Sequence, residues 1–338
     1  MEGKVRVGIN GFGRIGRLVT RALLQNFEKK VEIVKINDLT DPVTLAHLLK
    51  YDSAHQPYRG NVRAEEDGII LNGRKIKTSA VASPEQIDWG EAGADIVLEC
   101  TGKFNEGEKA RLHLKAGAKK VLLSAPGKGS IDATIVRGVN DNSLTPAMQI
   151  ISNASCTTNC LAPMVKVLDE NFGVRRGFMN TVHAYTADQR LQDAPHKDLR
   201  RARAAAYNLV PTTTGAAKAV GLVLPHLAGK LDGFAVRVPV INGSLIDLTL
   251  EVEKSTTVKE INSALELAAK QELAGIIEYC AEPIVSSDII GNPHSCIFDS
   301  LSTMALGGNF IKVVGWYDNE WGFSCRLAEL LVHVSTLL

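Results

Sequence analysis

The chain predicts a two-domain α/β protein, with a parallel, doubly wound sheet in its first half and an α+β domain on a mostly antiparallel sheet in its second. Three observations carry this reading. The first half alternates short apolar strands with amphipathic helices; the second half holds longer strands of apolar/polar alternation; the change falls at Ser152–Cys156. Parallel strands buried on both faces read as unbroken apolar runs, whereas half-buried antiparallel strands alternate. A length of 338 residues suits two domains of ordinary size. The expected boundaries are 1–155 and 156–319, with a C-terminal helix over 320–338 docking on the first domain.

In order, Lys4 to Ile9 reads as a strand, followed by Gly11-Phe12-Gly13-Arg14-Ile15-Gly16 and a helix carrying Val19, Leu23 and Leu24 on one face. A second strand, Val31 to Ile36, ends in Asn37-Asp38. Strand, glycine turn, helix and acidic strand end in this succession predict a Rossmann-type dinucleotide site. The glycines allow a tight turn and close approach to a pyrophosphate, and the helix N-terminus holds its charge. Asp38 is placed to accept hydrogen bonds from a ribose and to repel a 2′-phosphate, which favours NAD. Leu45 to Leu49 predicts a short helix, and Ile69 to Ile76 a hairpin turning at Asn72-Gly73. The strand Ile96–Cys100, a helix from Glu106 to Lys115 and the strand Val121–Ser124 repeat the alternation, so Thr101, Gly102 and Ser124 fall at strand ends, where such sheets bind ligands.

Ile150 and Ile151 end a further strand, and Leu161, Val165 and Leu168 follow at helical spacing, which sets Cys156 at a helix N-terminus. Unpaired N–H groups and the helix dipole there favour a thiolate and an adjacent anion. Companion strands are expected at Arg176–Tyr185, Phe234–Pro239, Ser244–Glu253 and Ile311–Tyr317, and helices at Ala216–Leu224, Val258–Gln271 and Gly322–Leu337. His183 follows an apolar strand end, where a base for Cys156 can sit. The stretch between Asn180 and Pro211 reads as a long loop with a basic cluster around Arg200, Arg201 and Arg203. Thr212-Thr213-Thr214-Gly215 is expected to open a helix and offer an anion site, and Arg237 is a charge on an otherwise apolar strand.

Lys plus Arg number 38 against 37 for Asp plus Glu, a formal charge of +1, so bulk charge points to no nucleic acid as primary partner. Asp193 and Asp198 interrupt the basic cluster, and no aromatics interleave it. No apolar run reaches membrane-span length, and strand-like sequence begins by Val5, leaving no room for a signal peptide; the expectation is a cytoplasmic protein without a membrane partner. The six cysteines are sparse and lack paired C-x-x-C spacing, so reduced thiols and no metal site are expected.

Asn10–Gly16, Ser155-Cys156-Thr157-Thr158-Asn159-Cys160, His183-Ala184-Tyr185-Thr186, Lys197 to Ala205, Thr214 to Lys218, Arg237-Val238-Pro239 and Trp316 to Trp321 together resemble phosphorylating glyceraldehyde-3-phosphate dehydrogenases over essentially the whole chain. The resemblance implies oxidation of D-glyceraldehyde 3-phosphate to 1,3-bisphosphoglycerate with NAD and inorganic phosphate, through a hemithioacetal and a thioester. It makes Cys156 the nucleophile and His183 its base. It places Thr186 and Arg237 on the substrate phosphate, and Ser155, Thr157, Thr214 and Gly215 around the attacking phosphate. Gly11, Gly13, Arg14, Ile15, Gly16, Asp38, Lys77, Ser124 and Asn319 match cofactor positions, Asn319 holding the nicotinamide carboxamide. A homotetramer is also implied.

Three departures stand out. Phe323 replaces a frequent tyrosine, Lys77 a frequent arginine, and Ala194-Pro195 carries a small residue where NAD-specific relatives carry a bulky one. Among competing readings, erythrose-4-phosphate dehydrogenase shares fold, thiol and histidine, but differs around the histidine loop and second anion site. A cysteine hydrolase has no use for a nucleotide fingerprint. A non-catalytic NAD- or RNA-binding protein has no need of an intact Cys156, His183 and Arg237.

Overall fold

The computed structural model describes residues 3–338. The chain divides into two compact units. One takes the chain up to Ile135, Asn142–Ala154 and Ser324–Leu338; the other takes Val136–Asp141 and Ser155–Phe323.

The first unit is built on β1 (Val5–Asn10), α1 (Arg14–Phe27), β2 (Val31–Asn37), α2 (Pro42–Lys50), β3 (Val62–Glu65), β4 (Gly68–Leu71), β5 (Arg74–Ser79), α3 (Trp89–Ala92), β6 (Ile96–Glu99), α4 (Gly107–Lys115), β7 (Lys120–Leu123), β8 (Ala133–Thr134) and β9 (Ile150–Ser152). Its strands form a nine-stranded sheet in the order β3-β4-β5-β2-β1-β6-β7-β9-β8. Pairing is parallel from β5 to β8, and β3, β4 and β5 pair antiparallel. The expected hairpin is present: Asn72 and Gly73 both have positive φ, 51° and 81°, as a type I′ turn requires. Val7, Ile9, Ile96, Val97, Leu98, Val121, Leu122 and Leu123 are fully buried, so the short strands are apolar throughout because both sheet faces are covered.

The second unit comprises α5 (Cys156–Phe172), β10 (Val174–Ala184), β11 (Val210–Thr213), α6 (Ala216–Val223), β12 (Leu231–Val238), β13 (Ser244–Val252), α7 (Val258–Lys270), β14 (Ile277–Cys280), β15 (Cys296–Leu306) and β16 (Phe310–Tyr317). The chain ends in α8 (Trp321–Ser335). The seven-stranded sheet runs β11-β12-β10-β13-β16-β15-β14, antiparallel except for the pairs β10–β12 and β14–β15. Helices α5, α6 and α7 pack on one of its faces. On β13 the expected alternation holds, with Ile246, Leu248, Leu250 and Val252 fully buried. The other sheet face keeps exposed apolar side chains, among them Phe178, Phe234, Met304, Leu306 and Phe310.

Two expectations need correction. Thr212 and Thr213 close β11 instead of opening a helix, and α6 starts only at Ala216. β-branched threonines favour the extended backbone, and pairing with β12 satisfies it. The stretch between Asn180 and Pro211 is loop only in part: the strand expected over Arg176–Tyr185 runs through Ala184, and β11 begins at Val210.

Candidate functional site

In the first unit the glycine turn links β1 to α1. Gly11 has φ 89°, and a Cβ there would fall 2.7 Å from the Thr101 nitrogen; one on Gly16 would fall 2.2 Å from the Gly11 carbonyl oxygen. Around Gly13 such an atom would meet nothing within 4 Å. Two glycines thus serve close packing, while the third faces open space that an approaching diphosphate can fill. It belongs to a cleft of about 340 Å³ whose lining includes Asn10, Asn37, Asp38, Cys100 and Thr101. The Asp38 carboxylate accepts the Phe12 N–H at 2.7 Å and the Thr40 N–H at 3.0 Å, which anchors it and leaves lone pairs for a ribose hydroxyl. These residues fit a dinucleotide.

The remaining sequence-matched positions of this unit take different places. Arg14 binds Asp52 through both terminal nitrogens, at 2.6 and 3.2 Å, and Ile15 is half-buried on the first turn of α1. Lys77 is exposed on β5 and Ser124 is half-buried after β7; neither is among the cleft-lining residues. Cys100 lies in the cleft wall, where burial pushes its thiol up to about 12, against a hydrogen bond from Ser124.

In the second unit Cys156 is the first residue of α5. Ser155 caps that helix, its hydroxyl accepting the Thr158 N–H at 3.0 Å, and Ala154 just before it holds a left-handed φ of 57°. A non-glycine residue in that region costs about 1–2 kcal/mol, so the turn presenting Cys156 is strained. The Cys156 sulfur lies 3.5 Å from Nε2 of His183. The topology explains the other neighbour: β10 and β12 run parallel with His183 opposite Arg237.

Geometry assigns the histidine tautomer. Nδ1 is 2.7 Å from the Ala184 carbonyl oxygen, which can only accept, so the ring proton sits on Nδ1 and Nε2 turns its lone pair to the thiol. Nδ1 is also 3.0 Å from Nη1 of Arg237, but that donor is served by the Ala184 oxygen at 3.2 Å and Thr186 Oγ1 at 3.4 Å. Burial, and after it the Arg237 charge, push His183 down to about 3, so the imidazole is neutral. Burial pushes the Cys156 thiol up, while Arg237 and the Thr157 hydroxyl and N–H pull it down. The resting pair is therefore thiol and neutral base, where the helix N-terminus alone had suggested a thiolate.

Arg237 supplies the positive charge of this site. Its Nε is buried and has no hydrogen-bond partner, a donor available to an anion. Thr157 is buried, and its hydroxyl lies 2.9 Å from the Tyr317 hydroxyl, which also meets Thr181 at 2.8 Å. The Tyr317 ring stands edge-on to His183 with centroids 5.9 Å apart. Thr214 Oγ1 accepts the Ala216 N–H at 3.2 Å, and Gly215, with no atom near its would-be Cβ, leaves the start of α6 open. Arg201 ties the long loop to β11, donating to Thr212 Oγ1 at 2.9 Å, the Thr213 carbonyl at 3.2 Å and Asp188 at 2.5 Å. Arg203 is paired with Asp193, so Arg201 and Arg203 of the basic cluster each meet a carboxylate.

Asn319 is buried. Its Oδ1 accepts the Ser244 hydroxyl at 2.7 Å and the Gly243 N–H at 3.2 Å, which directs Nδ2 the other way. Ser244 also accepts the Ala184 N–H at 3.1 Å. The sequence reading missed Ser244 and Tyr317. A serine on the apolar face of β13 was the available signal for the first; for the second, only the spatial meeting of β16 with α5 and β10 reveals the contact.

Comparison with known proteins agrees with this geometry. Residues 5–107 match the family described as glyceraldehyde 3-phosphate dehydrogenase, NAD binding domain, and residues 155–319 its C-terminal domain. The glyceraldehyde-3-phosphate dehydrogenase of Geobacillus stearothermophilus is 56% identical over 333 residues, covering 98% of each chain. That of Streptomyces coelicolor is 56% identical over 336 residues and 99% of each chain. Glyceraldehyde-3-phosphate dehydrogenase 2 of Bacillus subtilis is 54% identical over 333 residues, 98% of this chain and 97% of its own. With both domains matched and identity above half along nearly the whole length, the chain belongs to the glyceraldehyde-3-phosphate dehydrogenase family.

Proposed function

We propose that this chain catalyses the NAD-dependent, phosphorylating oxidation of D-glyceraldehyde 3-phosphate to 1,3-bisphosphoglycerate. The observation that carries the reading is the Cys156 thiol facing the unprotonated Nε2 of His183 at 3.5 Å, with the Arg237 guanidinium beside both. His183 takes the thiol proton as sulfur attacks the aldehyde carbon and returns it to the developing oxyanion, which gives a hemithioacetal on Cys156 and a neutral base again. The free N–H groups at the start of α5 stabilise the developing oxyanion. NAD, when bound, supplies the hydride acceptor. His183 removes the hydroxyl proton as hydride leaves carbon, which converts the adduct to a thioester. Phosphate oxygen then attacks the thioester carbonyl and Cys156 departs as thiolate, recovering its proton from His183.

Arg237 and Thr186 serve the substrate phosphate, and Ser155, Thr157, Thr214 and Gly215 the attacking phosphate. Gly11, Gly13, Arg14, Ile15, Gly16, Asp38, Lys77 and Ser124 serve the cofactor, and Asn319 its carboxamide. The chain works as a homotetramer in the cytoplasm. Support comes from the exposed Phe178 and Phe234 on the open sheet face, the exposed Leu191, Leu199 and Tyr207 of the long loop, and six free cysteines. Among the described residues no helix is long and apolar enough to cross a membrane.

The test follows NADH with glyceraldehyde 3-phosphate and NAD, with and without inorganic phosphate. Sustained turnover should require phosphate; no NADH, or a rate indifferent to phosphate, removes the assignment. Erythrose 4-phosphate in the same assay separates the related activity. Cys156→Ser should abolish turnover and preserve NAD binding.

A further inference from the structure

Behind the cleft of the first unit lies a buried polar network that the reaction chemistry does not use. Glu99 closes β6 with no exposed surface. One carboxylate oxygen accepts Asn10 Nδ2 at 2.6 Å and His113 Nε2 at 3.0 Å; the other accepts the Thr101 N–H at 2.7 Å and the Thr101 hydroxyl. His113 in turn lies 2.9 Å from the indole nitrogen of Trp89, and both rings are fully buried. An indole N–H only donates, so His113 Nδ1 accepts and its proton sits on Nε2, facing Glu99. Four N–H and O–H donors thus converge on this carboxylate, the imidazole among them.

The second branch points the same way. Asn37 Nδ2 donates to Asn10 Oδ1 at 2.8 Å, and the Ser79 hydroxyl and Val81 N–H donate to Asn37 Oδ1 at 2.8 and 2.9 Å. From Trp89 on one side and Ser79 on the other, these side-chain donors are oriented toward Glu99, as dipoles are when one buried charge polarises a chain. Asn10, Asn37, Val81 and Thr101 line the cleft, whereas Glu99, His113 and Trp89 are not among its lining.

We propose that Glu99 is a positioning residue for NAD: with His113 and Trp89 behind it, its carboxylate fixes Asn10 and Thr101 in the cleft wall, so that changes at these remote rings alter NAD affinity. This rests on the reading of the cleft as the NAD site. An amide in place of the carboxylate would turn a donor toward existing donors. Removing the indole N–H would free His113 to take the other tautomer and face Glu99 with a lone pair.

The experiment measures NAD binding by calorimetry, together with steady-state kinetics, on the full-length protein carrying Glu99→Gln, Trp89→Phe, or both. Side chains along such networks modulate binding by about 0.5–2 kcal/mol, so NAD Kd and KM should rise by about 2- to 30-fold, while kcat at saturating NAD and KM for the aldehyde hold. The two substitutions should be non-additive, since each breaks the same chain. Folded variants with lower Tm but unchanged NAD Kd would overturn the proposal, as would full additivity. Should Glu99→Gln fail to fold, Trp89→Phe and His113→Gln, both away from the cleft lining, carry the same test by the same criterion. Gly13→Ala is the control for the cleft. If it too leaves NAD Kd unchanged, the cleft reading fails; if it alone weakens NAD, the role of Glu99 fails.

Discussion

Arg237→Lys separates two jobs that the structure gives one guanidinium. The substitution keeps the charge near Cys156 and His183 but removes the planar fork. Lost are the buried Nε, which has no protein partner, and the Nη1 contacts to the Ala184 oxygen at 3.2 Å and Thr186 Oγ1 at 3.4 Å. A hydrogen bond to a charged group is worth about 1.5–3 kcal/mol, so losing one to a substrate phosphate should lower kcat/KM by about 10- to 150-fold. Glyceraldehyde lacking the phosphate makes no such bond, and its kcat/KM should change by less than about twofold. Arg237→Leu should slow both substrates, because the same charge holds His183 down and pulls against burial at Cys156. The assay compares kcat/KM for the two aldehydes at saturating NAD and phosphate. Equal losses in the lysine variant would refute the phosphate role and leave Arg237 acting only on the thiol–imidazole pair; no loss for either aldehyde in the leucine variant would refute both jobs.

Three further outcomes are expected. Ser244→Ala removes the 2.7 Å donor to Asn319 Oδ1; a buried hydrogen bond of about 1 kcal/mol corresponds to a roughly fivefold rise in KM for NAD. Hydride should then reach both nicotinamide faces, read by NMR with deuterated substrate, and unchanged stereochemistry and KM would sink the idea. For His183 the folded value of about 3 lies below the ordinary 6.5, so its contribution to stability is complete above pH 6.5 and is lost as pH falls toward 3. Nitrogen NMR should show neutral, Nδ1-protonated His183 from pH 8 to about pH 5, and an imidazolium at pH 6 would contradict this. Finally, Gly16→Ala places a methyl 2.2 Å from the Gly11 carbonyl and should destabilise the fold by about 1–3 kcal/mol in denaturant melts. Gly13→Ala, with nothing within 4 Å, should leave the melt unchanged and weaken only NAD; equal effects on stability would refute the distinction.

The sequence by itself determined the elements whose signal is local. The glycine turn is legible because helix–strand packing and diphosphate approach need absent side chains at fixed spacing, and the structure places Gly11 and Gly16 against backbone atoms accordingly. The thiol at the first turn of α5 and the alternation of β13 are likewise short-range consequences of helix start and burial. Strand β15 escaped the reading, because Asp299, Ser300, Ser302 and Thr303 interrupt its apolar pattern where its pairing with β16 shifts register. Only tertiary structure decided the chemistry of the thiol. The parallel register of β10 and β12 sets Arg237 opposite His183, and the Ala184 carbonyl fixes the tautomer. Burial then reverses the thiolate expectation drawn from the helix dipole. Desolvation, register and hydrogen-bond direction depend on residues far apart in the chain, and so do the Ser244–Asn319 contact and the network converging on Glu99.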